Sequence, residues 1–265
     1  MEKKLKFACQ TMSWKKVVEE DPELVMHSVR DAGYEGIEFA PIQSLEHLRD
    51  MALMAARHGL KLLNVHPPSG GSFLSVDYNA ILGNESVEIK PCWRWDFGGR
   101  NPTMAAFRAA AARLEKTVHY VKAHGLKPFC HVHLDTMMET EEDMERLLSC
   151  SPDLYALLDT GHLCAAKGDP VQAIKRFGSR IAHVHLKDFY AEDHENWDRH
   201  APGLWQTARF AEIGKGNCGL DVKGVLDALL EMDYRGWVSV ELDHPQRPEP
   251  AHCRGSLKHV RSLGF

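Results

Sequence analysis

The seven cysteines (Cys9, Cys92, Cys130, Cys150, Cys164, Cys218, Cys253) are odd in number, scattered, and contain no CxxC pair. That spacing excludes a disulfide framework and a structural zinc knuckle, and makes a reducing cytoplasm the expected setting. No segment approaches about 18 uninterrupted apolar residues, and the opening MEKKLKFACQ has no apolar stretch long enough for a secretory leader. Neither a membrane span nor export by that route is expected. Lysine and arginine nowhere form a block, and the formal net charge is −5. The electrostatic footprint that nucleic acid or an anionic membrane demands is missing, so neither is an expected partner. Solenoid-type repeats and low-complexity tracts are absent too.

What is present is an ordinary globular composition, 265 residues with 44% hydrophobic and 26% charged. One large domain over residues 1–265 is the expectation. Short apolar runs alternate with helix-periodic segments almost from end to end, the pattern of βα units around a parallel sheet. Strands are expected at 5–10, 36–40, 61–66, 127–134, 153–159, 180–187 and 236–242. Helices are expected after Asp21, which stands before Pro22 as a cap, and over 44–58, 103–124, 140–149, 169–177 and 221–232. Glycines in "DAGYEGIEF", "RHGLKLL" and "AHGLKPF" fall where a left-handed helix end precedes the next strand.

Two stretches break this rhythm. Residues 67–101 carry Pro67-Pro68, Gly70-Gly71, Gly98-Gly99 and CWRWDF, and residues 189–220 include HENWDRHAPGLW. Each follows a strand's C-terminal end, where a (β/α)8 barrel builds its active-site face. The predicted fold is therefore an α/β TIM-type barrel with one irregular βα unit in 67–101, an eighth strand lying near Val87–Pro91. Trp93, Trp95 and Phe97 read as a packed lid, and Glu141, Glu142 and Asp143 as a helix first turn offsetting its dipole.

Polar groups arrive at the ends of buried strands. YALLDTGH delivers Asp159 and then His162, and IAHVHLKD alternates His183, His185 and Lys187 with apolar residues. Side chains at i and i+2 share a strand face, so His131 and His133 in CHVHL point one way, as do His183, His185 and Lys187. Asp159 and Glu241 take the last inward positions of their strands. Three strands each burying an ionisable group by coincidence is costly, so Asp159, His185 and Glu241 read as ligands of Mn²⁺, Co²⁺, Fe²⁺ or Zn²⁺. His183, deeper in its strand, reads as a satisfied buried hydrogen-bonding group.

LLDTGH followed by GDP, then HVHLKD, then GWVSVELD resembles the sugar phosphate isomerase/epimerase superfamily of xylose isomerase-like barrels. The segment from His131 to His162 is similar in particular to the inosose dehydratases within it. The likeness runs over roughly 103–188 and 221–245 and is strongest from Lys127 to Asp188. It implies a divalent metal, Mn²⁺ or Co²⁺ first and Zn²⁺, Fe²⁺ or Mg²⁺ as alternatives, on residues matching Asp159, His185 and Glu241, with His162 on substrate. The fourth ligand in the sugar epimerases is a glutamate at a place where this chain, like the dehydratase branch, carries a histidine, so the resemblance implies His131 as the fourth ligand.

A metal-dependent dehydratase acting on an inosose-like keto-polyol is the function these residues imply. His133 or Glu241 would take the α-proton, and His162, Lys187 or His133 would assist loss of the β-hydroxyl. A ketose or hydroxypyruvate-type isomerase or epimerase is the alternative on the same scaffold, and a non-catalytic sugar-binding barrel a third. A DNA-repair endonuclease is disfavoured by the charge. Nothing in the composition argues against a homo-oligomer.

Overall fold

The computed structural model describes residues 4–38, 41–67, 72–244 and 249–265. Phe39 and Ala40 of the second expected strand, and Pro68, Gly70 and Gly71, lie outside the described residues. The elements follow in order as β1 (Lys6–Gln10), α1 (Lys15–Glu20), α2 (Pro22–Ala32), β2 (Gly36–Glu38), α3 (Leu45–Arg57), β3 (Lys61–Leu63), α4 (Ser72–Ile81) and β4 (Ser86–Glu88). Then come α5 (Met104–Ala123), β5 (Lys127–His131), α6 (Glu141–Cys150), β6 (Tyr155–Asp159), α7 (Thr160–Ala165), α8 (Pro170–Phe177) and β7 (Ile181–Leu186). A hairpin of β8 (Asp188–Ala191) and β9 (Ala208–Ala211) encloses α9 (Leu204–Thr207), and α10 (Val222–Glu231), β10 (Trp237–Val240) and α11 (Glu249–Ser262) complete the chain.

Eight strands form one parallel sheet in the order β3-β2-β1-β10-β7-β6-β5-β4. Such a sheet must be covered by helices, and the sequence supplies their starts. Asp21 accepts from Leu24 N at 3.0 Å ahead of Pro22. Thr140 and Asp143 form a reciprocal capping box on α6, so the Glu141–Asp143 run is a first turn as its composition implies. In α5 the buried Phe107, Ala110, Leu114, Val118 and Val121 recur at three- and four-residue steps, the face that packs inward.

The two edge strands, β3 and β4, meet through a side chain. Asn64, just after β3 with φ of 42°, accepts from Glu88 N at 3.0 Å. Asparagine tolerates that left-handed backbone and carries an amide that mimics a strand's hydrogen bonds. Behind it, buried Asn79 of α4 clasps Val65 through N–H and C=O at 3.3 and 2.9 Å.

The stretch 67–101 differs from the expectation of an irregular unit. It holds a helix, α4, and a strand, β4, the latter at Ser86–Glu88 and so overlapping the expected Val87–Pro91. The helix escapes notice because Ser75 and Asn79, both buried, interrupt the apolar periodicity carried by Val76. Beyond β4, a 3₁₀ turn over Arg94–Phe97 is anchored by buried Arg94, which pairs with Glu139 at 2.9 Å and with Asp143.

Candidate metal centre and its pocket

His131, Asp159, His185 and Glu241 come from the ends of β5, β6, β7 and β10, and one ligand atom from each lies within 4.8 Å of all the others. Strand alternation places them there, since Asp159 and His185 are directly paired in the register of β6 and β7. Each carboxylate has one oxygen committed to the fold and one aimed inward. Asp159 Oδ1 caps α7 by accepting from His162 N at 2.9 Å, which leaves Oδ2 at 3.1 Å from His131 Nε2. Glu241 Oε1 accepts from Gln10 Nε2 at 3.3 Å, which leaves Oε2 at 2.5 Å from His185 Nδ1.

That last contact tests whether a cation fits. Both atoms are buried, and neither makes a hydrogen bond of acceptable geometry. So close an imidazole nitrogen and carboxylate oxygen need a cation between them, either a proton on His185, which Glu241 and Glu38 favour against its burial, or a metal ion that takes its place. Two imidazole nitrogens and two carboxylate oxygens suit a borderline-to-hard divalent ion such as Mn²⁺, Co²⁺, Fe²⁺ or Zn²⁺. The residues present therefore fit the group.

Electrostatics follow from the same contacts. Burial alone would raise the Glu241 carboxyl, yet Lys187 and His185 hold it down at about 2. Asp159 is likewise held well below the usual carboxylate range against its burial, Lys187 being the main partner. Lys187 Nζ stands 3.1 Å from each of Asp159, Glu241 and Asp243 and is raised accordingly despite complete burial. Its path explains the glycine of DTGH: a Cβ on Gly161 would lie 2.6 Å from Lys187 Cγ.

Two further imidazoles line the pocket, their tautomers fixed by neighbours. His133 Nδ1 stands 2.7 Å from Leu134 O, to which it donates, so Nε2 carries the lone pair. Burial and the nearby His131 lower His133 to about 4, so it is neutral near pH 7. His162 accepts from Leu134 N through Nδ1 at 3.3 Å, which leaves the N–H on Nε2. Burial also lowers His162 well below its ordinary value. The two rings lie 3.7 Å apart between centroids.

The pocket above has a volume of about 700 Å³ and is lined by His131, His133, His162, Lys187, Trp205 and Phe210, among others. Its roof is the β8–β9 hairpin, the element that fills the expected insertion at 189–220. Asp188 folds the hairpin's base by accepting from Phe189, Gly214 and Gly216 N–H groups, each at 2.9 Å. Trp197 Nε1 donates to Ala165 O at 2.8 Å, and Arg199 pairs with Glu139 at 2.5 Å. Phe210 then lies over His162 and 4.5 Å from Lys187 Nζ. On the opposite wall Trp93 meets His133 edge-on and stacks on Trp95, which is 62% exposed.

The structure thus brings together His131, His133, Asp159, His162, His185, Lys187 and Glu241. His183 lies one layer deeper, shared between Glu38 at 2.9 Å and Ser239 at 3.0 Å. Gln10, Glu38, Asn64, Glu88 and Asp243 join the site without having been singled out in the sequence. Glu38 and Gln10 end strands that were legible, and the same i, i+2 rule would have turned both inward. In a third acid–histidine group, Asp135, Glu139 and His200, Glu139 is already paired with Arg94 and Arg199.

Residues 40–263 match the family described as xylose isomerase-like TIM barrel. An inosose dehydratase of Geobacillus kaustophilus is 37% identical over 145 residues, 52% of this chain and 46% of that protein. The rhizopine catabolism protein MocC of Rhizobium meliloti is 34% identical over 131 residues, 46% of this chain and 38% of that protein. The chain spans about half the length of the curated relatives it matches. Among solved structures, the probable 3-DHS dehydratase AsbF of Bacillus anthracis superposes with a TM-score of 0.73 at 16% identity over 97% of this chain and 99% of that one. A sugar phosphate isomerase/epimerase of Parabacteroides distasonis gives 0.74 at 15% identity over 100% and 96%.

Proposed function

Because the chain belongs to the xylose isomerase-like TIM barrel family, we propose that it is a metal-dependent lyase that removes water from a keto-polyol of the inosose type. The observation that carries the reading is the convergence of one ligand atom from each of His131, Asp159, His185 and Glu241, with His185 Nδ1 and Glu241 Oε2 buried and outside any well-formed hydrogen bond. The dehydratase names of the sequence relatives support elimination over isomerisation. Held by His131, Asp159, His185 and Glu241, a divalent ion such as Mn²⁺ or Co²⁺ would act as a Lewis acid on the substrate's carbonyl and neighbouring hydroxyl, making the α-proton acidic.

The side chains divide the remaining work. Glu241 has one oxygen taken by Gln10 and the other turned to His185 and Lys187, so it serves as ligand rather than base. His133, neutral and with its Nε2 lone pair free of the Leu134 contact, is the base that takes the α-proton. The electrons of that C–H bond form the new double bond as the β-carbon–oxygen bond breaks. The departing hydroxyl needs a proton, and the His133 imidazolium supplies it, because its environment disfavours the charged ring. His162 Nε2–H donates a hydrogen bond to a substrate oxygen, and the Lys187 ammonium balances negative charge as it grows. Trp205 and Phe210 cover the pocket and exclude water.

The test is to give the manganese-loaded protein an inosose and follow ultraviolet absorbance alongside NMR in D₂O. Dehydration creates a conjugated enol-dione and a rising absorbance. Isomerisation or epimerisation would exchange the α-proton with a flat absorbance, and that result would replace this reading with the alternative one.

A further inference from the structure

Beneath the four candidate ligands, three polar side chains from the opposite arc of the barrel form a bridge. Glu38 at the end of β2 is buried and accepts from His185 Nε2 through both oxygens, at 3.1 and 3.2 Å. Glu88 at the end of β4 stands 3.6 Å from His131 Nδ1, close enough for ion pairing but not a hydrogen bond. Asn64 joins them: its Nδ2 donates to Glu38 Oε1 at 2.9 Å and to Glu88 Oε2 at 3.3 Å. The orientation of this amide is fixed, since its Oδ1 accepts from Glu88 N.

A histidine holds a metal through one ring nitrogen, and the partner of its other nitrogen decides which one is available. His185 turns Nδ1 toward Glu241 and Nε2 toward Glu38, whereas His131 turns Nε2 toward Asp159 and Nδ1 toward Glu88. The two rings present opposite nitrogens to one point. Resting on the reading that this point holds a divalent ion, we propose that Glu38 and Glu88, tied by Asn64, are positioning residues that fix these opposite tautomers of His185 and His131. Each carboxylate takes the proton-bearing nitrogen and leaves the other as a lone pair directed at the metal. Glu38 is the stronger arm because it is hydrogen-bonded, and it also receives His183 Nε2 at 2.9 Å. As a carboxylate it can accept from all three donors at once. A glutamine in its place has an NH₂ that cannot accept, so one imidazole must give up its tautomer.

Zinc, which is diamagnetic, allows a readout that does not depend on turnover. In zinc-loaded protein with ¹⁵N-labelled histidine, long-range ¹H–¹⁵N correlation should show His185 bound through Nδ1 with a proton on Nε2. His131 should be bound through Nε2 with a proton on Nδ1. E38Q should weaken zinc binding about 10- to 100-fold by competition calorimetry and disturb the His185 pattern, with E88Q giving a smaller loss at His131. Should E38Q fail to fold, N64G carries the test, because glycine suits the backbone at φ of 42° while removing both amide bridges. It should weaken zinc and leave the fold's circular dichroism unchanged. Zinc bound through the opposite nitrogens, or variants with wild-type affinity and wild-type ring patterns, would overturn the proposal and leave the metal reading standing. Failure of wild-type protein to bind zinc, manganese or cobalt would overturn both.

Discussion

Two clusters of carboxylate and imidazole share His185, and they differ in how completely their polar atoms are served. In the lower one, Glu38 receives His183, His185 and Asn64, and His183 also reaches Ser239. In the upper one, His185 Nδ1 and Glu241 Oε2 are buried without a hydrogen bond. Both have the ligand types of a metal site, and both satisfy its spacing. Composition and distance alone therefore do not distinguish a metal site from a structural network. The distinction we propose lies in hydrogen-bond accounting: the lower cluster is saturated, whereas the upper one keeps two facing ligand atoms outside any well-formed hydrogen bond and so has room for a cation.

The sharpest way to break this contrast is in the upper cluster. Asp159→Asn and Glu241→Gln keep shape but remove ligand charge, and each should cut turnover by about 10²-fold or more with the fold intact. Rates measured after stripping and reloading with Mn²⁺ check this. His131→Glu should retain the ion, since carboxylate is also a good Mn²⁺ ligand, yet lose elimination relative to α-proton exchange. The ratio of ultraviolet change to deuterium uptake in D₂O reports it, and an unchanged ratio would show that His131 does not direct the reaction.

Smaller effects sharpen the lower cluster. His183→Asn, outside the ligand set, should leave metal affinity within a few-fold while costing on the order of 1–3 kcal/mol of stability, because it leaves Glu38 and Ser239 with a lost partner. Acid provides a further check. In metal-free protein, His183 and His185 outweigh burial and hold Glu38 well below 4.5, and His131 outweighs burial at Glu88 to hold it at about 2. A carboxyl lowered in the folded state stabilises the fold above its unfolded value and loses that contribution as pH falls through its folded one. Urea midpoints should accordingly drop as pH falls from about 4.5 toward 2, and Glu88→Gln should flatten the slope.

Much of this was legible in the sequence on one side of the barrel and little on the other. Strands β5, β6 and β7 are five or six residues long; β7, IAHVHL, alternates apolar with ionisable residues, and β5 and β6 carry apolar residues up to His131 and Asp159, so each discloses the strand and its polar end. Strands β2, β3 and β4 are only three residues long, too short for alternation to register. Glu38, Asn64 and Glu88 fall within the expected strands 36–40, 61–66 and 87–91, but none belongs to a run of three ionisable residues at alternate positions, which marks the inward face in HVHLK. The helix α4 was obscured for a related reason: Asn79 is buried to bind Val65, a tertiary demand that breaks local periodicity. Outer residues that position ligands are hard to see because their partners are distant in the chain; Glu38 and His185 are 147 apart.

On the proposed reading, the upper cluster holds an ion and the lower one does not. Elemental analysis of protein reloaded with Mn²⁺ and freed of excess by gel filtration tests it most directly, in wild type, Glu241→Gln and His183→Asn. About one ion per chain in wild type, lost in Glu241→Gln and kept in His183→Asn, is the predicted result. No bound ion in wild type, or a second ion that vanishes with His183, would contradict it.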